Sequence, residues 1–285
     1  MAMATTQAVA CGMEDASTTQ VNGIELRWDR LVEAIDKEII PRLILARRGG
    51  RETPRPAVRG AAAPGPEDVA ELTRLVLSRD GEFARTVVER MRDRGTPIET
   101  LYLDLLAPTA RSLGDLWCQD ACDFADVTIG LAHLHQLLHD LSPAFLARAE
   151  APVTGQRALL MPVPGEQHSF GLRIVTDFFR YAGWEVWSEP DLRADSDLVQ
   201  LVRGEWFAVV GLSLSCETRL DAMTSGIRAL RRASRNRALG ILVGGPLFNS
   251  HPELVARVGA DATAIDGGQA PIQAQNVLAL LARRR

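Results

Sequence analysis

From Thr154-Gly155 onward, short apolar runs alternate five times with amphipathic segments, and that rhythm constrains the fold more than any other feature of the chain. The runs are ALLMPV (158–163), WEVW (184–187), FAVVGLSLS (207–215), LGILVGG (239–245) and ATAID (262–266). Helix-patterned segments follow them at 168–182, 194–203, 219–235, 252–258 and 271–284. Near-continuous apolar runs suit strands covered on both faces, and a parallel neighbour can be reached only through a crossover, usually a helix. The reading is therefore an α/β class: a five-stranded parallel sheet over residues 154–285 with helices on both faces. In such sheets ligands sit beyond the carboxyl ends of the strands, where strand order reverses. That rule selects the loops 164–171, 213–218, 244–250 and 266–268.

Ahead of this unit, residues 67–153 carry only helical periodicity. Val69, Leu72, Leu75 and Val76 mark one helix, and Phe83, Val87, Val88 and Met91 a second. Leu101, Leu105, Leu106, Leu113, Leu116 and Trp117 mark a third, and Phe124 to Leu141 a fourth. Gly95-Thr96-Pro97 supplies a stop, a cap and a first-turn proline. Four helices with short connections predict an antiparallel bundle. Residues 1–66 read as an extension with one helix near 24–48 and a flexible Pro/Gly/Arg-rich linker from Gly49.

At 46% apolar and 24% charged residues, the 285-residue chain is of globular composition. It has no run of roughly 18 apolar residues and no leader-like start, so the expectation is a cytoplasmic protein without a membrane segment. Four scattered cysteines do not make a secreted disulfide framework. A formal charge of −4 argues against a general nucleic-acid binder. Arg228, Arg231, Arg232 and Arg235 form a helical stripe, favoured as a solvated face near a helix end over a phosphate site. No recognition helix precedes the bundle, so direct sequence-specific DNA binding is not expected.

The loop after the first strand is Pro164-Gly165-Glu166-Gln167-His168-Ser169-Phe170-Gly171, which puts an imidazole at a strand-to-helix junction with a carboxylate two residues earlier. Ser213-Leu214-Ser215 end the third strand, where hydroxyls can donate to a ring nitrogen. Gly244-Gly245 end the fourth, where absent side chains let backbone approach a flat ligand. Cys118, Cys122, His133, His135 and His139 contain metal-ligating chemistry but lack the spacing of a zinc site. There is no P-loop, zincin helix or nucleophile elbow, so the chain is not expected to be an enzyme.

Taken together, these strand ends resemble the cobalamin-binding domain of corrinoid proteins, whose pattern is D-x-H-x-x-G, about 41 residues, S-x-L, about 26 to 28 residues, G-G. Here Glu166-x-His168-x-x-Gly171 is followed by 41 residues, Ser213-x-Ser215, 28 residues and Gly244-Gly245. Glu166 stands for the Asp and Ser215 for the Leu. The resemblance implies a Rossmann-like (flavodoxin-like) domain, cobalamin as cofactor, His168 as the lower cobalt ligand, Glu166 orienting its ring, and the serines and glycines lining a slot for the nucleotide tail. The loop residues Gln167, Ser169 and Phe170, with Leu214 between the serines, complete the implied cofactor-binding set.

The helical region is similar to the bundle that caps the cobalamin in light-sensing and methyl-carrying relatives, with Trp117 in the place of the cap tryptophan. The Glu-His pair expected ten residues later is replaced by Val127-Thr128, which argues against a corrinoid methyl carrier. The string Trp117-Cys118-Gln119-Asp120-x-x-x-Phe124-x-x-Val127-Thr128-x-Gly130 resembles the AerR/PpaA antirepressor branch of photosynthetic bacteria. That likeness, which spans about residues 67–285, implies a light-responsive transcriptional regulator acting through a repressor protein of the CrtJ/PpsR type. A haem-binding redox sensor on the same scaffold, with the bundle histidines as axial ligands, remains the alternative. A decayed site acting only as an interaction module is another.

Overall fold

A computed structural model describes residues 63–78, 81–149, 155–166, 168–188 and 195–283. The helix expected at 24–48, most of the linker, and Gln167 lie outside the described residues. Gly60 to Arg285 fall in one compact unit.

Four helices come first: α1 (Pro66–Val76), α2 (Glu82–Asp93), α3 (98–118) and α4 (Phe124–Leu146). Pro66 at the first helical position needs no hydrogen-bond partner, and the Asp68 carboxylate reaches back to the Gly65 N–H at 2.7 Å. Gly95 adopts φ +92° to end α2, and α3 begins at Ile98 with Pro97 as its cap residue rather than in its first turn. An Asp123/Asp126 capping box starts α4. Apolar periodicity does not reveal that α3 widens into a π-helical stretch at Leu101–Leu106 before returning to α geometry at Ala107. Pro108 follows at once; it has no N–H for the residue 104 carbonyl and its ring would press on that group.

The sheet comprises β1 (Arg157–Pro162), β2 (Glu185–Trp187), β3 (Val209–Ser213), β4 (Gly240–Gly244) and β5 (Ala262–Thr263). All pairings are parallel and the spatial order is β2-β1-β3-β4-β5. The strand order therefore reverses between β1 and β3, the flavodoxin-like arrangement. Helices α5 (Phe170–Tyr181), α6 (Asp195–Gly204), α7 (Leu220–Ala233), α8 (Pro246–Ser250), α9 (Leu254–Val258) and α10 (Ala270–Ala282) connect and cover the strands. The five β/α units thus form as the sequence pattern predicts. The exception is the short helix α8, which Pro246 starts directly behind the two glycines.

Alternation along each strand divides the core. Leu159, Met161, Val210, Leu212, Ile241 and Val243 face α6 to α9. Ala158, Leu160, Val209 and Leu242 face α5 and α10. Helix α5 belongs to two cores, because Phe170, Ile174 and Phe178 recur every four residues on a second face and pack into the bundle. At that seam Tyr102, on the π-helical stretch, donates a hydrogen bond to Asp177 of α5 at 3.1 Å. Both residues are buried, and Phe145 and Phe178 enclose the Tyr102 ring. Burial, then the charge of Asp177, pushes the Tyr102 hydroxyl far above its ordinary range, so it remains a donor.

Tyr102→Phe would leave a buried carboxylate short of a donor, with Arg180 as its ion-pair partner at 3.8 Å. Urea unfolding should show a loss of about 1–3 kcal/mol with little change in slope.

Candidate cobalamin site

The site is built where β1 and β3 part. After β1 the Glu166 N–H donates to the Val163 carbonyl at 2.8 Å, and Gly165 takes φ +81° to close the turn. That turn folds the Glu166 side chain back beneath the loop, where it is 4% exposed while the His168 side chain is 78% exposed. Glu166 Oε1 accepts from the His168 backbone N–H at 3.0 Å and from ring Nδ1 at 2.6 Å. Oε2 accepts from the Ser215 N–H at 2.8 Å and the Ser215 hydroxyl at 2.6 Å. Ser215 Oγ also lies 2.9 Å from Nδ1. Burial pushes the Glu166 pKa up, but hydrogen bonds from the Ser215 hydroxyl, the two backbone N–H groups and the His168 ring outweigh it and hold the carboxyl at about 2. Facing a carboxylate, Nδ1 carries the proton; in the neutral ring this leaves the Nε2 lone pair, on the side of the exposed ring away from Glu166, as a metal ligand requires.

The adjoining strand ends form a cradle. Ser213 lies on the α5/α10 face of β3, beside Gly244 in the sheet register, and its hydroxyl is buried without a hydrogen-bond partner. Nothing approaches within 4 Å of where a Cβ would stand on Gly244 or Gly171. Gly245 is different. It has φ +107°, and a Cβ there would run into the Leu214 carbonyl. The first glycine therefore leaves room, and the second lets two loops touch. An orphaned hydroxyl, an open glycine and an outward imidazole nitrogen along one rim fit a corrinoid that is ligated by histidine and lays its tail against the sheet.

Other residues expected at the site have different placements. The Leu214 side chain is buried in the core facing α6 to α9, Phe170 is buried in the bundle core, and Ser169 is exposed at the cap position of α5. Trp117 is 47% exposed and meets the edge of Phe124, itself 73% exposed, at 6.4 Å between ring centroids. Val127 is half-buried on the first turns of α4. Among the described residues no hydrogen bond or ring contact joins Trp117 or Val127 to the strand ends. The bundle instead reaches the His168 loop through His135, whose ring meets Phe170 edge-on at 5.1 Å. Burial, then Arg173, lowers the His135 pKa.

In the bundle His133 Nδ1 is bound to the Val76 carbonyl at 2.8 Å, and among the described residues no three His, Cys, Asp or Glu side chains cluster as for a metal. The arginine stripe is partly structural. Arg231 pairs with Asp261 at 2.9 Å and donates to the Leu239 and Gly259 carbonyls, and Arg235 donates to Gly204. Two open depressions, of about 480 and 600 Å³, lie along α1 and α3 in the bundle, neither of them at the strand ends. No helix among the described residues is long and apolar enough to cross a membrane.

Comparison with known proteins agrees with this fold. Residues 156–274 match one family model described as a B12 binding domain, and residues 69–139 match a second with the same description. A protein of Rhodobacter capsulatus, described as a 20.5 kDa protein of the bchF-crtJ intergenic region, is 29% identical over 175 residues, which are 61% of this chain and 89% of that one. Among solved structures, the monomethylamine corrinoid protein of Methanosarcina barkeri superposes with a TM-score of 0.63 at 17% identity, covering 74% of this chain and 98% of the other, a likeness of fold. The two family models, on a parallel α/β fold preceded by a helical bundle, define a cobalamin-binding protein. The chain thus carries two B12 binding domain matches and is similar to the Rhodobacter protein over 61% of its length, and its cofactor is cobalamin.

Because Glu166 ionises at about 2 in the folded chain against 4.5 ordinarily, its contribution is fully present above the ordinary value and is lost as pH falls through the folded value. Urea unfolding between about pH 5 and 2 should show the wild type losing stability on the order of 1–3 kcal/mol beyond the loss in Glu166→Gln.

Proposed function

We propose that this chain is a cobalamin-responsive, light-sensing regulator of transcription that acts as an antirepressor through a repressor protein of the CrtJ/PpsR type, and not as an enzyme. The observation that carries the cobalamin half is the pinned imidazole: His168 Nδ1 on a buried carboxylate, Nε2 outward at the switch point. The genomic setting of the Rhodobacter relative, beside crtJ, supports the regulatory half. His168 would hold the cobalt, Glu166 and Ser215 would fix its tautomer, and Ser213 and Gly244 would receive the tail. When bound, an alkylcobalamin supplies a cobalt–carbon bond that light can break.

The chain's own contribution to signalling is the route from the rim to the bundle. Helix α5 starts two residues after His168 and buries Phe170, Ile174 and Phe178 among the bundle helices. A shift of α5 therefore repacks the bundle and changes the surface it offers a protein partner. The cofactor state can bias that equilibrium only through different affinities for the two arrangements. The exposed Trp117–Phe124 pair suits the cap's face toward the cofactor.

The test is to purify the chain with supplied cobalamins and record absorption in darkness and after illumination. A corrinoid spectrum that changes with light and is altered in His168→Ala is expected. An intense Soret band would establish haem instead, and an unaltered spectrum in His168→Ala would reject the histidine as ligand.

Gly244→Val should abolish cobalamin retention without unfolding the chain, because the new side chain enters open space on an ordinary strand backbone. Gel filtration of the loaded variant, with circular dichroism to confirm the fold, reads both.

A further inference from the structure

Loop β1–α5 is held at two points by the segment after β3, and only one of them is the Ser215 contact. The second is Arg219, at the end of the 3-10 turn Glu217–Arg219 that leads into α7. Its guanidinium lies on the backbone of Gly165: a Cβ there would stand 2.5 Å from Nη1 and 2.9 Å from Cζ. Nη1 also donates to the Pro164 carbonyl at 3.2 Å. The anchor behind the arginine is firm, because the next residue, Leu220, is buried in the core. Arg219 makes no ion pair among the described residues, so this contact accounts for its placement.

We infer that Arg219 is a positioning residue for the axial histidine, clamping the Pro164-Gly165 turn so that Glu166 and His168 present Nε2 in one orientation. The inference rests on the cobalamin reading above. Its physical basis is the freedom of the turn. Gly165 at φ +81° has no side chain to restrict it, and Ser215 holds Glu166 only at its carboxylate end. With the backbone unclamped, the carboxylate could stay bound while the Pro164–Gly165 peptide rotates and carries the imidazole away from its line. A planar guanidinium suits this task better than an ammonium, since it covers the glycine and donates from its edge at the same time. Gly165 and Arg219 are thus a pair: the glycine leaves the space that the arginine fills.

The experiment loads the full chain and its variants with hydroxocobalamin in the dark, reduces the cobalt by one electron, and reads the splitting of the cobalt lines by an axial nitrogen in the electron paramagnetic resonance spectrum. Cobalamin affinity and the melting temperature are measured alongside. Arg219→Ala should lose most of the histidine-ligated signature and weaken binding about tenfold, with the melting temperature little changed. Arg219→Lys should recover part of the signature, because it restores a donor to Pro164 but not the cover over Gly165. Gly165→Ala, which displaces the guanidinium with the arginine present, should reproduce the loss. If His168→Ala abolishes the signature while Arg219→Ala and Gly165→Ala both keep it, the clamp is overturned and the cobalamin reading stands. If His168→Ala itself leaves the signature unchanged, the ligand assignment falls and the clamp with it.

Discussion

A single carboxylate joins the two halves of the site. Glu166 sits where β1 and β3 separate, and both its oxygens are engaged: one by His168, two residues further along the loop after β1, the other by Ser215 in the loop after β3. Four donors keep it ionised despite burial, and its charge in turn dictates which nitrogen of His168 carries the proton. A loop imidazole at 78% exposure would otherwise exchange tautomers and rotate freely. The longer side chain of Glu166 does not loosen this arrangement. Its extra methylene lets the carboxylate fold back far enough to meet Ser215, so the two departures from the corrinoid pattern, Glu for Asp and Ser for Leu, face each other across one hydrogen bond of 2.6 Å.

The glycine pair shows how adjacent residues of one type can serve different needs. Gly244 ends a strand on the α5/α10 face with open space before it, next to a Ser213 hydroxyl that finds no protein partner. Leaving a buried hydroxyl unpaired is costly unless a ligand or water completes it. Gly245 spends its freedom on φ +107° and on the Leu214 carbonyl, which its missing Cβ allows to approach. One glycine leaves open space and the other joins the β3 and β4 loops, so the rim keeps its shape without side chains filling it.

Much of this was legible in the sequence, for identifiable reasons. The three long apolar runs, at 158–163, 207–215 and 239–245, read as buried strands from their length and lack of polar alternation, and the two short runs form the partly covered edge strands β2 and β5. The rule that ligands gather where strand order reverses then singled out the loops of Glu166–His168 and Ser213–Ser215 before any coordinate. Local pattern could not show contacts between residues distant in the chain. Arg219 over Gly165, His135 against Phe170 and Tyr102 on Asp177 join positions 54, 35 and 75 residues apart. The π-helical stretch was hidden for another reason: Leu101, Leu105 and Leu106 satisfy ordinary helical spacing, and only Pro108 hints that one turn must widen.

Helix α5 couples the sheet domain to the bundle. A helix that merely covered a sheet would need one apolar face, yet α5 has two, with Phe179 toward the strands and Phe170, Ile174 and Phe178 toward the bundle. Between the two faces lies Asp177, which bonds to the π-helical Tyr102 and pairs with Arg180. Packed cores move between discrete arrangements rather than deforming continuously. A helix wedged between two cores therefore cannot shift at its first turn, beside the histidine loop, without repacking one of them. The widened turn of α3 that meets it is fixed by Pro108, which can offer no N–H to the residue 104 carbonyl.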